Sequence, residues 1–286
     1  MDAPPEQEDS KSFVRVAGYL ETMKLNAPRI LEANLGDGFL LLTDLGCRPY
    51  LETLLNDNSL AESLYDDAIL ALQTMQKQGA AFQSLLPQYD AKLLSFELSL
   101  FHDWLCQKHI GIEFSDDDEA SWRSLCDLLI NSALDQPQVF VHRDYHSRNL
   151  MVTDNDNPGI LDFQDAVEGP LSYDLVSLLK DCYVKWPQHQ VADWAISYYR
   201  NIDASMQRQV NENQFMRYFD LMGVQRHLKA SGIFARLNHR DGKPGYMADV
   251  PRTLSYIVEL GPQYDELGFL IELINKRCLP ALQESS

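Results

Sequence analysis

The sequence predicts an α+β fold in which a small strand-containing lobe precedes a larger, mainly helical lobe. Two short apolar runs flank a Gly-Asp-Gly turn near the start of the chain, a pattern typical of a β-hairpin. Apolar residues at helical spacing fill most of the remaining sequence. A second group of short strands interrupts these helices and encloses a polar loop at residues 142–149. We therefore expect the small lobe at residues 1–45 and the large catalytic lobe at residues 46–286.

The small lobe is expected to contain one helix and one hairpin. Apolar residues recur at helical spacing across residues 9–24. The two strands are predicted at residues 30–34 and 39–43, because the Gly-Asp-Gly turn lies between them. A hinge to the large lobe is predicted at residues 43–45.

The large lobe is expected to be helical on both sides of the polar loop. An acidic run at residues 116–119 marks one helix start, where the helix dipole favours negative charge; a metal site is the alternative for this run. The predicted helices lie at residues 60–79, 93–111, 116–129, 173–179, 189–201, 205–232 and 262–278.

Composition limits the partners of the chain. Asp and Glu number 42 against 24 Lys and Arg, for a net charge of −18, which argues against nucleic acid and anionic membranes as partners. The charge suits a cationic ligand, although ordinary solubility explains it equally. Five scattered cysteines without a C-x-x-C pair favour reduced thiols in a cytoplasmic protein. The sequence has no apolar run of membrane-spanning length and no signal-peptide pattern at Met1. We also expect no obligate protein partner.

The polar loop carries the residues with the clearest chemical meaning. His142-Arg143-Asp144 is followed at the fifth position after Asp144 by Asn149, and Asp162 comes after the next short strands. Mg²⁺ prefers oxygen ligands, which the Asn149 amide and the Asp162 carboxylate can supply. Asp144 would stay free of metal and accept the proton of an attacking hydroxyl. The complete pattern therefore predicts Mg²⁺-assisted phosphoryl transfer from ATP, whereas H-R-D alone is usually a surface turn.

Other residues near this loop are predicted to support catalysis and nucleotide binding. His142 is expected to act through packing and hydrogen bonding rather than as a base. His146 is a candidate for the nucleotide site, with simple exposure to solvent as the equal alternative. In a two-lobe arrangement the nucleotide lies between the lobes. The hinge residues Thr43, Asp44 and Leu45 would then hold the adenine edge.

These motifs resemble the aminoglycoside phosphotransferase superfamily, a branch of the protein-kinase-like fold. The resemblance rests on the H-R-D loop, on Asp162-Phe163-Gln164 and on Pro170-x-x-Tyr173-Asp174-Leu175. It implies that Asp174 braces the catalytic loop; an ordinary aspartate at a helix start is the alternative. Asp162 and Asp174 are only twelve positions apart, and the long activation segment and A-P-E motif of protein kinases are absent from the sequence. Protein-kinase activity is therefore not expected.

Five segments, one at the start of the chain and four in its C-terminal half, are similar to the N-acetylmuramate/N-acetylglucosamine kinase group. The resemblance implies transfer of phosphate from ATP to the anomeric hydroxyl of the amino sugar, giving the sugar 1-phosphate. Gln225 and His227 are then candidates for hydrogen bonds to the sugar. A cation is needed for the lactyl carboxylate of N-acetylmuramate, with pairing to Asp and Glu as the alternative for each candidate. The similar segments are residues 1–6, 223–229, 232–237, 240–244 and 249–252. The candidate cations are Arg226, Arg236, Arg240 and Arg252.

The chain departs from the pattern of a kinase at its start. It contains no G-x-G-x-x-G, and no strand lies before Met1 in the sequence. We therefore expect an N-terminally truncated small lobe that lacks roughly fifty residues of the usual plan, either because Met1 is a mis-assigned start or because the truncation is real. Such a chain is expected to bind ATP weakly and to expose unpaired strand edges.

Two alternative functions follow from the same residues. The first is another small-molecule kinase of the superfamily, acting on an aminoglycoside, choline or homoserine; the net charge favours a cationic substrate of this kind. The second is a non-catalytic pseudokinase left by truncation, against which the intact Asp144, Asn149 and Asp162 argue. The segments around Gln225 and Arg252 favour the amino sugar.

Overall fold

A computed structural model describes residues 1–2 and 10–284. Helices and short strands alternate along the chain as predicted, and π-helical turns continue two of the helices. The strands are β1 Ile30–Asn34, β2 Phe39–Leu42, β3 Gln138–Val141, β4 Leu150–Met151, β5 Gly159–Ile160 and β6 Val167–Pro170. The helices are α1 Ser10–Thr22, α2 Tyr50–Asn56, α3 Ala61–Gly79, α4 Ala91–Leu100, α5 Asp116–Leu134, α6 Tyr173–Leu179, α7 Gln188–Asn201, α8 Ala204–Gln207, α9 Glu212–Asp241, α10 Val250–Val258, α11 Gly268–Leu273 and α12 Leu279–Glu284. The π-helical segments are Phe101–Ile110 after α4 and Ile274–Cys278 after α11, and the 3₁₀ turns are Asn58–Leu60, Gln83–Leu85, Pro244–Asp249, Gly261–Gln263 and Asp265–Leu267.

The strands form three antiparallel pairs. β1 pairs with β2, β3 with β6, and β4 with β5. The pairing of β3 with β6 brings two distant parts of the chain together, with Val139 opposite Gly169 and Val141 opposite Val167. β3 runs directly into the H-R-D loop, and β6 runs directly into α6. This pair therefore positions the loop and the start of α6 in one place.

The helix and the hairpin predicted near the start of the chain are present within the described residues, whereas a separate small lobe stays a prediction. α1 begins at Ser10, and the first residue of the predicted helix, Asp9, lies outside the part of the chain that the structure describes. The hairpin has the predicted bounds except that β2 ends at Leu42. The backbone N–H of Thr43 still donates to the carbonyl of Arg29 at 2.9 Å. The chain therefore leaves the hairpin at Thr43, and a hinge at residues 43–45 stays a prediction.

Two of the predicted large-lobe helices are wrong in part. The predicted helix at residues 205–232 is interrupted between α8 and α9, because Tyr199 donates a hydrogen bond of 2.9 Å to the carbonyl of Val210 and Asp203 caps α8 separately. The predicted helix at residues 262–278 begins as two 3₁₀ turns and becomes α-helical only at Gly268. α2 and α10 were not predicted, because each contains or follows a proline that the sequence pattern treats as a break.

The chain forms two compact units. The first unit comprises Met1–Gln88, Pro137–Leu179 and Trp186–Glu212; the second comprises Tyr89–Gln136, Lys180–Lys185 and Asn213–Ser286, within the described residues. Neither unit has a boundary at residue 45. The predicted boundary depends on the expected position of a nucleotide, whereas the two units reflect packing. That boundary stays a prediction.

Aromatic contacts hold the first unit together around the catalytic segment. Phe13 of α1 packs on Phe163 with ring centroids 4.7 Å apart. Gly79 at the end of α3 lies so close to β3 that an added Cβ would come within 2.5 Å of the Phe140 Cβ. The first contact joins α1 to the segment that follows β5, and the second joins α3 to β3.

The second unit has a continuous apolar core from α4, α5, α9, α10 and α11. Gly232 of α9 lets that helix cross the α4 end closely, since a Cβ there would lie 2.2 Å from the Leu100 carbonyl carbon. One charged pair is buried next to this crossing, with the Lys229 ammonium 3.0 Å from the Glu97 carboxylate. None of the described helices is both long and apolar enough to cross a membrane.

Candidate active site

The H-R-D loop begins where β3 ends, and a buried carboxylate fixes its start. The Asp174 carboxylate accepts hydrogen bonds from the backbone N–H groups of His142 at 2.6 Å and Arg143 at 3.0 Å. Arg143 has a φ of 77°, an uncommon conformation for a residue with a side chain. Charge-assisted bonds to a fully buried carboxylate can hold such a conformation. Asp174 therefore lies against the start of the H-R-D loop, and a role in catalysis for this contact stays a prediction.

His142 is enclosed within this structure. Its side chain is fully buried, and its Nδ1 accepts a hydrogen bond from the backbone N–H of Asp144 at 3.2 Å. Burial lowers the pKa of His142 to about 4, although the nearby Asp144 and Asp162 carboxylates oppose this shift. The imidazole is therefore neutral at neutral pH and orients the backbone of Asp144, in agreement with a supporting role.

Asn149 joins the loop to the predicted metal aspartate. Its Nδ2 lies 3.0 Å from the Asp144 carbonyl oxygen and 3.2 Å from Asp162 Oδ2. Its backbone N–H donates to His146, and its carbonyl accepts from Leu161. The structure therefore brings Asp144, Asn149 and Asp162 together, although thirteen positions separate Asn149 from Asp162.

Asp162 is exposed and stands in the left-handed backbone region, with a φ of 61°. Gln164 Nε2 donates to Asp162 Oδ1 at 2.8 Å, and the Gln164 carbonyl accepts from Ser12 at 2.7 Å. α1 therefore anchors the segment that orients the Asp162 carboxylate. The sequence analysis assigned no role to Gln164, and its place in the Asp-Phe-Gln motif was the only available signal.

The side chains of Asn149 and Asp162 fit Mg²⁺ bound together with phosphate oxygens. Both offer oxygen, and the 3.2 Å hydrogen bond from Asn149 Nδ2 to Asp162 Oδ2 places the two side chains next to each other. Within residues 1–2 and 10–284, no cluster of three or more His, Cys, Asp or Glu side chains forms a cage for a metal. A site with few protein ligands suits Mg²⁺, which usually keeps waters and binds substrate phosphates.

The hinge residues lie beside the strand pair that leads to Asp162. An added Cβ at Gly159 would lie 2.9 Å from Leu45 Cδ1, so the Leu45 side chain rests on β5. Asp44 is exposed, and its Oδ1 accepts from the backbone N–H of Gly46 at 2.8 Å. Thr43 closes the hairpin through its contacts with Arg29. Binding of an adenine edge by these residues stays a prediction.

The candidate sugar residues all lie in the second unit and have partners there. Gln225 Nε2 donates to Tyr89 and Glu97, both at 3.1 Å. The His227 Nε2 lies 2.8 Å from the Lys180 carbonyl oxygen, and burial lowers the His227 pKa to about 3. These contacts make both residues part of the interior of the unit. A sugar contact by either of them stays a prediction.

Two of the four candidate arginines, Arg226 and Arg252, differ in exposure. Arg226 is buried, and its guanidinium lies 3.7 Å from the sulfur of Cys182. Arg252 is partly exposed and donates to the carbonyls of Cys182 and Tyr183 and to the Asp249 carboxylate at 2.8 Å. Their proposed contact with a substrate carboxylate also stays a prediction.

The fold and the site together define a phosphotransferase of the kinase-like class. A braced H-R-D loop, an asparagine at the fifth position and an aspartate after the next strand pair are the parts that position a phosphoryl group in that class. Residues 1–208 match the family described as the phosphotransferase enzyme family, and the chain belongs to this family.

Two relatives that share one name are similar to the chain over most of its length. The chain is 48% identical over 275 residues to the N-acetylmuramate/N-acetylglucosamine kinase of Pseudomonas aeruginosa, covering 95% of this chain and 80% of the relative. It is 46% identical over 275 residues to the protein of the same name from Pseudomonas putida, covering 96% and 80%. Among solved structures it is similar to the choline kinase LicA from Streptococcus pneumoniae, with a TM-score of 0.60, 12% identity and coverage of 87% of this chain and 80% of that one. The last likeness concerns the fold alone.

Proposed function

We propose that the protein transfers the γ-phosphoryl group of ATP to the anomeric hydroxyl of N-acetylmuramate or N-acetylglucosamine. The products would be the sugar 1-phosphate and ADP. The observation that carries this proposal is the 48% identity to a kinase named for these two sugars, over 80% of that relative's length. The site at Asp144, Asn149 and Asp162 supports it with the residues that such a transfer requires.

Asp144 would act as the base. Its carboxylate accepts the proton of the anomeric hydroxyl as the sugar oxygen forms a bond to the γ-phosphorus. The bond between that phosphorus and the β–γ bridging oxygen breaks, and ADP leaves with the electron pair. His142 and Asp174 would act as positioning residues, since both bind the backbone of the loop that carries Asp144.

Asn149 and Asp162 would hold Mg²⁺. The ion supplies positive charge that offsets the charge of the phosphate oxygens. Asp162 contributes a full negative charge, and Gln164 fixes the direction of its carboxylate. We assign the adenine edge to Thr43, Asp44 and Leu45, which follow β2 and precede α2, and a phosphate or ribose contact to His146.

The competing assignment is a kinase for an aminoglycoside or choline. A fold likeness at 12% identity does not extend to substrate, whereas the sugar kinases are far more similar in sequence. The discriminating experiment is a panel of N-acetylmuramate, N-acetylglucosamine, kanamycin, choline and homoserine with ADP release as the readout. Phosphorus NMR of the product then shows whether phosphate is attached to the anomeric oxygen.

An amino sugar consumed with formation of an anomeric phosphate is the expected result. Turnover of kanamycin or choline without turnover of either sugar would contradict the proposal. Asp144→Asn serves as the control for contaminating activity, because it removes the base with almost no change in size. If this variant is as active as the unmodified chain, Asp144 is not the base.

A further inference from the structure

The end of α9 concentrates positive charge in an otherwise acidic chain. The net charge of the whole chain is −18. Between residues 236 and 243, however, Arg236, Arg240 and Lys243 accompany a single acidic residue, Asp241. This short segment therefore carries an excess of cations. All of these residues belong to the second unit, which does not contain the H-R-D loop.

The fold gathers the three cations around one carboxylate. Arg236 and Arg240 are four positions apart on α9, so they share a face of the helix. Gly242, with a φ of 63°, reverses the chain after the helix. The backbone N–H of Lys243 then donates to the Leu237 carbonyl at 3.1 Å, which folds Lys243 back toward the last turns of α9.

Asp241 is already occupied by one of these cations. Its two carboxylate oxygens accept from Arg240 at 2.8 Å and 2.9 Å in a bidentate pair. The hydrogen bonds from Arg240 are the main reason that the pKa of Asp241 lies below its usual range, and Lys243 and Arg236 add smaller electrostatic contributions. Arg236 and Lys243 are thus near this carboxylate, but both of its oxygens already accept hydrogen bonds from Arg240.

Arg236 is the unusual member of the group. Its side chain is half-buried, and its Nε is buried without a hydrogen-bond partner among the described residues. Burial first, and Arg240 second, lower the pKa of its guanidinium. A buried donor without a partner destabilises the fold, and a charged one does so more strongly. Arg217 shows the ordinary arrangement on the same helix, since it pairs with Glu266 at 2.6 Å.

The helix dipole does not account for this arrangement. Cations in the last turn of a helix are stabilised by its negative end, which is sufficient for the exposed Arg240. Arg236 lies five positions before the last residue of α9, where the effect fades, and its buried Nε requires an acceptor rather than a field. A bound oxyanion beside the half-buried Arg236 side chain supplies the negative charge that its guanidinium needs.

We infer that Arg236, Arg240 and Lys243 form a binding site for an oxyanion, a carboxylate or phosphate group carried by a small molecule. A guanidinium matches the two oxygens of such a group in a bidentate geometry. The lysine adds charge without a fixed direction. The site is built from the second unit alone, and its occupation does not require that the proposed sugar kinase reaction takes place.

Isothermal titration calorimetry without nucleotide tests this inference and separates the two sources of the oxyanion. Inorganic phosphate is the probe for a phosphate group. N-acetylmuramate and N-acetylglucosamine are the matched probes for a carboxylate, because the lactyl carboxylate of the former is the charged difference between them. The proteins compared are the unmodified chain, Arg236→Gln, Lys243→Gln and the control Arg217→Gln.

At least one of the two oxyanions is expected to bind the unmodified chain. Arg236→Gln should weaken that binding by about tenfold or more, and Lys243→Gln by about two- to fivefold. Lys243 is exposed, so its variant reports on binding even if Arg236→Gln fails to fold. Arg217→Gln should bind as the unmodified chain does.

Three results would overturn the inference. The first is that neither phosphate nor N-acetylmuramate binds at millimolar concentration. The second is that binding occurs but Lys243→Gln and any folded Arg236→Gln leave it unchanged. The third is that Arg217→Gln weakens binding as much as the other variants, which would indicate a general effect of charge. Tighter binding of N-acetylmuramate than of N-acetylglucosamine would assign the site to a carboxylate, whereas binding of phosphate alone would assign it to a phosphate group.

Discussion

The carboxylate of Asp174 lies 3.0 Å from the backbone nitrogen of Arg143, a residue whose φ of 77° falls in the left-handed region. A non-glycine residue in a sparsely populated backbone region costs on the order of 1–3 kcal/mol, and it persists when the surroundings enforce it. Asp174 supplies that enforcement, with a second bond to the backbone of His142. The backbone path that leads to Asp144 therefore depends on Asp174, which lies thirty positions further along the chain.

Asp174→Asn should impair both folding and turnover. The amide keeps the size of the side chain but removes the charge that strengthens two buried hydrogen bonds, so we expect a loss of about 2–3 kcal/mol of unfolding free energy. The kcat should fall by about tenfold or more while KM changes little, because the residue positions the loop without touching substrate. Urea denaturation and steady-state kinetics measure the two effects. Asp193→Asn, on the exposed face of α7, is the matched control and should change neither.

Gln164→Ala should raise the requirement for Mg²⁺. Loss of the 2.8 Å bond to Asp162 leaves that carboxylate without its orienting partner. Outer-shell partners of metal ligands typically change metal affinity by about 10–100-fold, so the Mg²⁺ concentration for half-maximal activity should rise by about tenfold. Asp165→Asn, one position further on and exposed, serves as the control. Superimposable Mg²⁺ titrations of the unmodified chain and Gln164→Ala would show that Gln164 has no such role.

The buried histidine of the loop should make stability depend on pH. The folded-state pKa of His142 is about 4, below the usual 6.5. As pH falls from 6.5 toward 4, the unfolded chain takes up a proton that the folded chain does not, so unfolding becomes easier. At pH 5 this linkage lowers the free energy of unfolding by about 2 kcal/mol relative to neutral pH. His227, with a pKa of about 3, acts in the same direction.

His142→Asn should remove part of this pH dependence while leaving the share that His227 contributes. Asparagine can still accept the backbone N–H of Asp144, so the local geometry is largely retained. Chemical denaturation at pH 7.5 and pH 5 measures the difference in unfolding free energy for each protein. His189→Asn, on the surface of α7, should keep the full dependence. An unchanged difference in His142→Asn would contradict the assigned shift.

Gly232→Ala should destabilise the second unit. The added Cβ would lie 2.2 Å from the carbonyl carbon of Leu100 and 2.4 Å from the backbone nitrogen of Phe101, and backbone atoms cannot yield as a flexible side chain can. We expect a loss of about 3 kcal/mol in unfolding free energy. Gly18→Ala is the opposite control, because nothing lies within 4 Å of its Cβ position on α1. That variant should gain about 0.5–1 kcal/mol from helix propensity.

Lys229→Met should be strongly destabilising. It leaves the buried Glu97 carboxylate without the ammonium group 3.0 Å away, although Tyr89 and Gln225 still donate hydrogen bonds. Removing one partner of a buried ion pair typically costs about 3–5 kcal/mol. Adding Glu97→Gln to this variant removes the unpaired charge and should restore at least about 1 kcal/mol. A double variant no more stable than Lys229→Met would show that charge is not the cause.

The sequence was enough to predict the polar loop between β3 and β4, because the spacing of Asp144, Asn149 and Asp162 is a local signal, and the catalytic roles of these residues stay a prediction. It also determined the hairpin and most helices, since turn residues and apolar periodicity are short-range signals. It failed between α8 and α9, where a hydrogen bond from Tyr199 to the Val210 carbonyl decides the break. The spacing of apolar residues along the sequence gives no information about such a contact.

The contacts made by side chains around the polar loop, and the burial of other side chains, are visible only in the folded structure. The contact between Gln164 and Asp162, and the two backbone bonds of Asp174, depend on how the strands pair. The burial of Gln225 likewise depends on how α9 packs within its unit. A sequence specifies the chemistry that a side chain offers. Burial and partner choice depend on distances between segments that are far apart in the chain, and these distances exist only once the chain has folded.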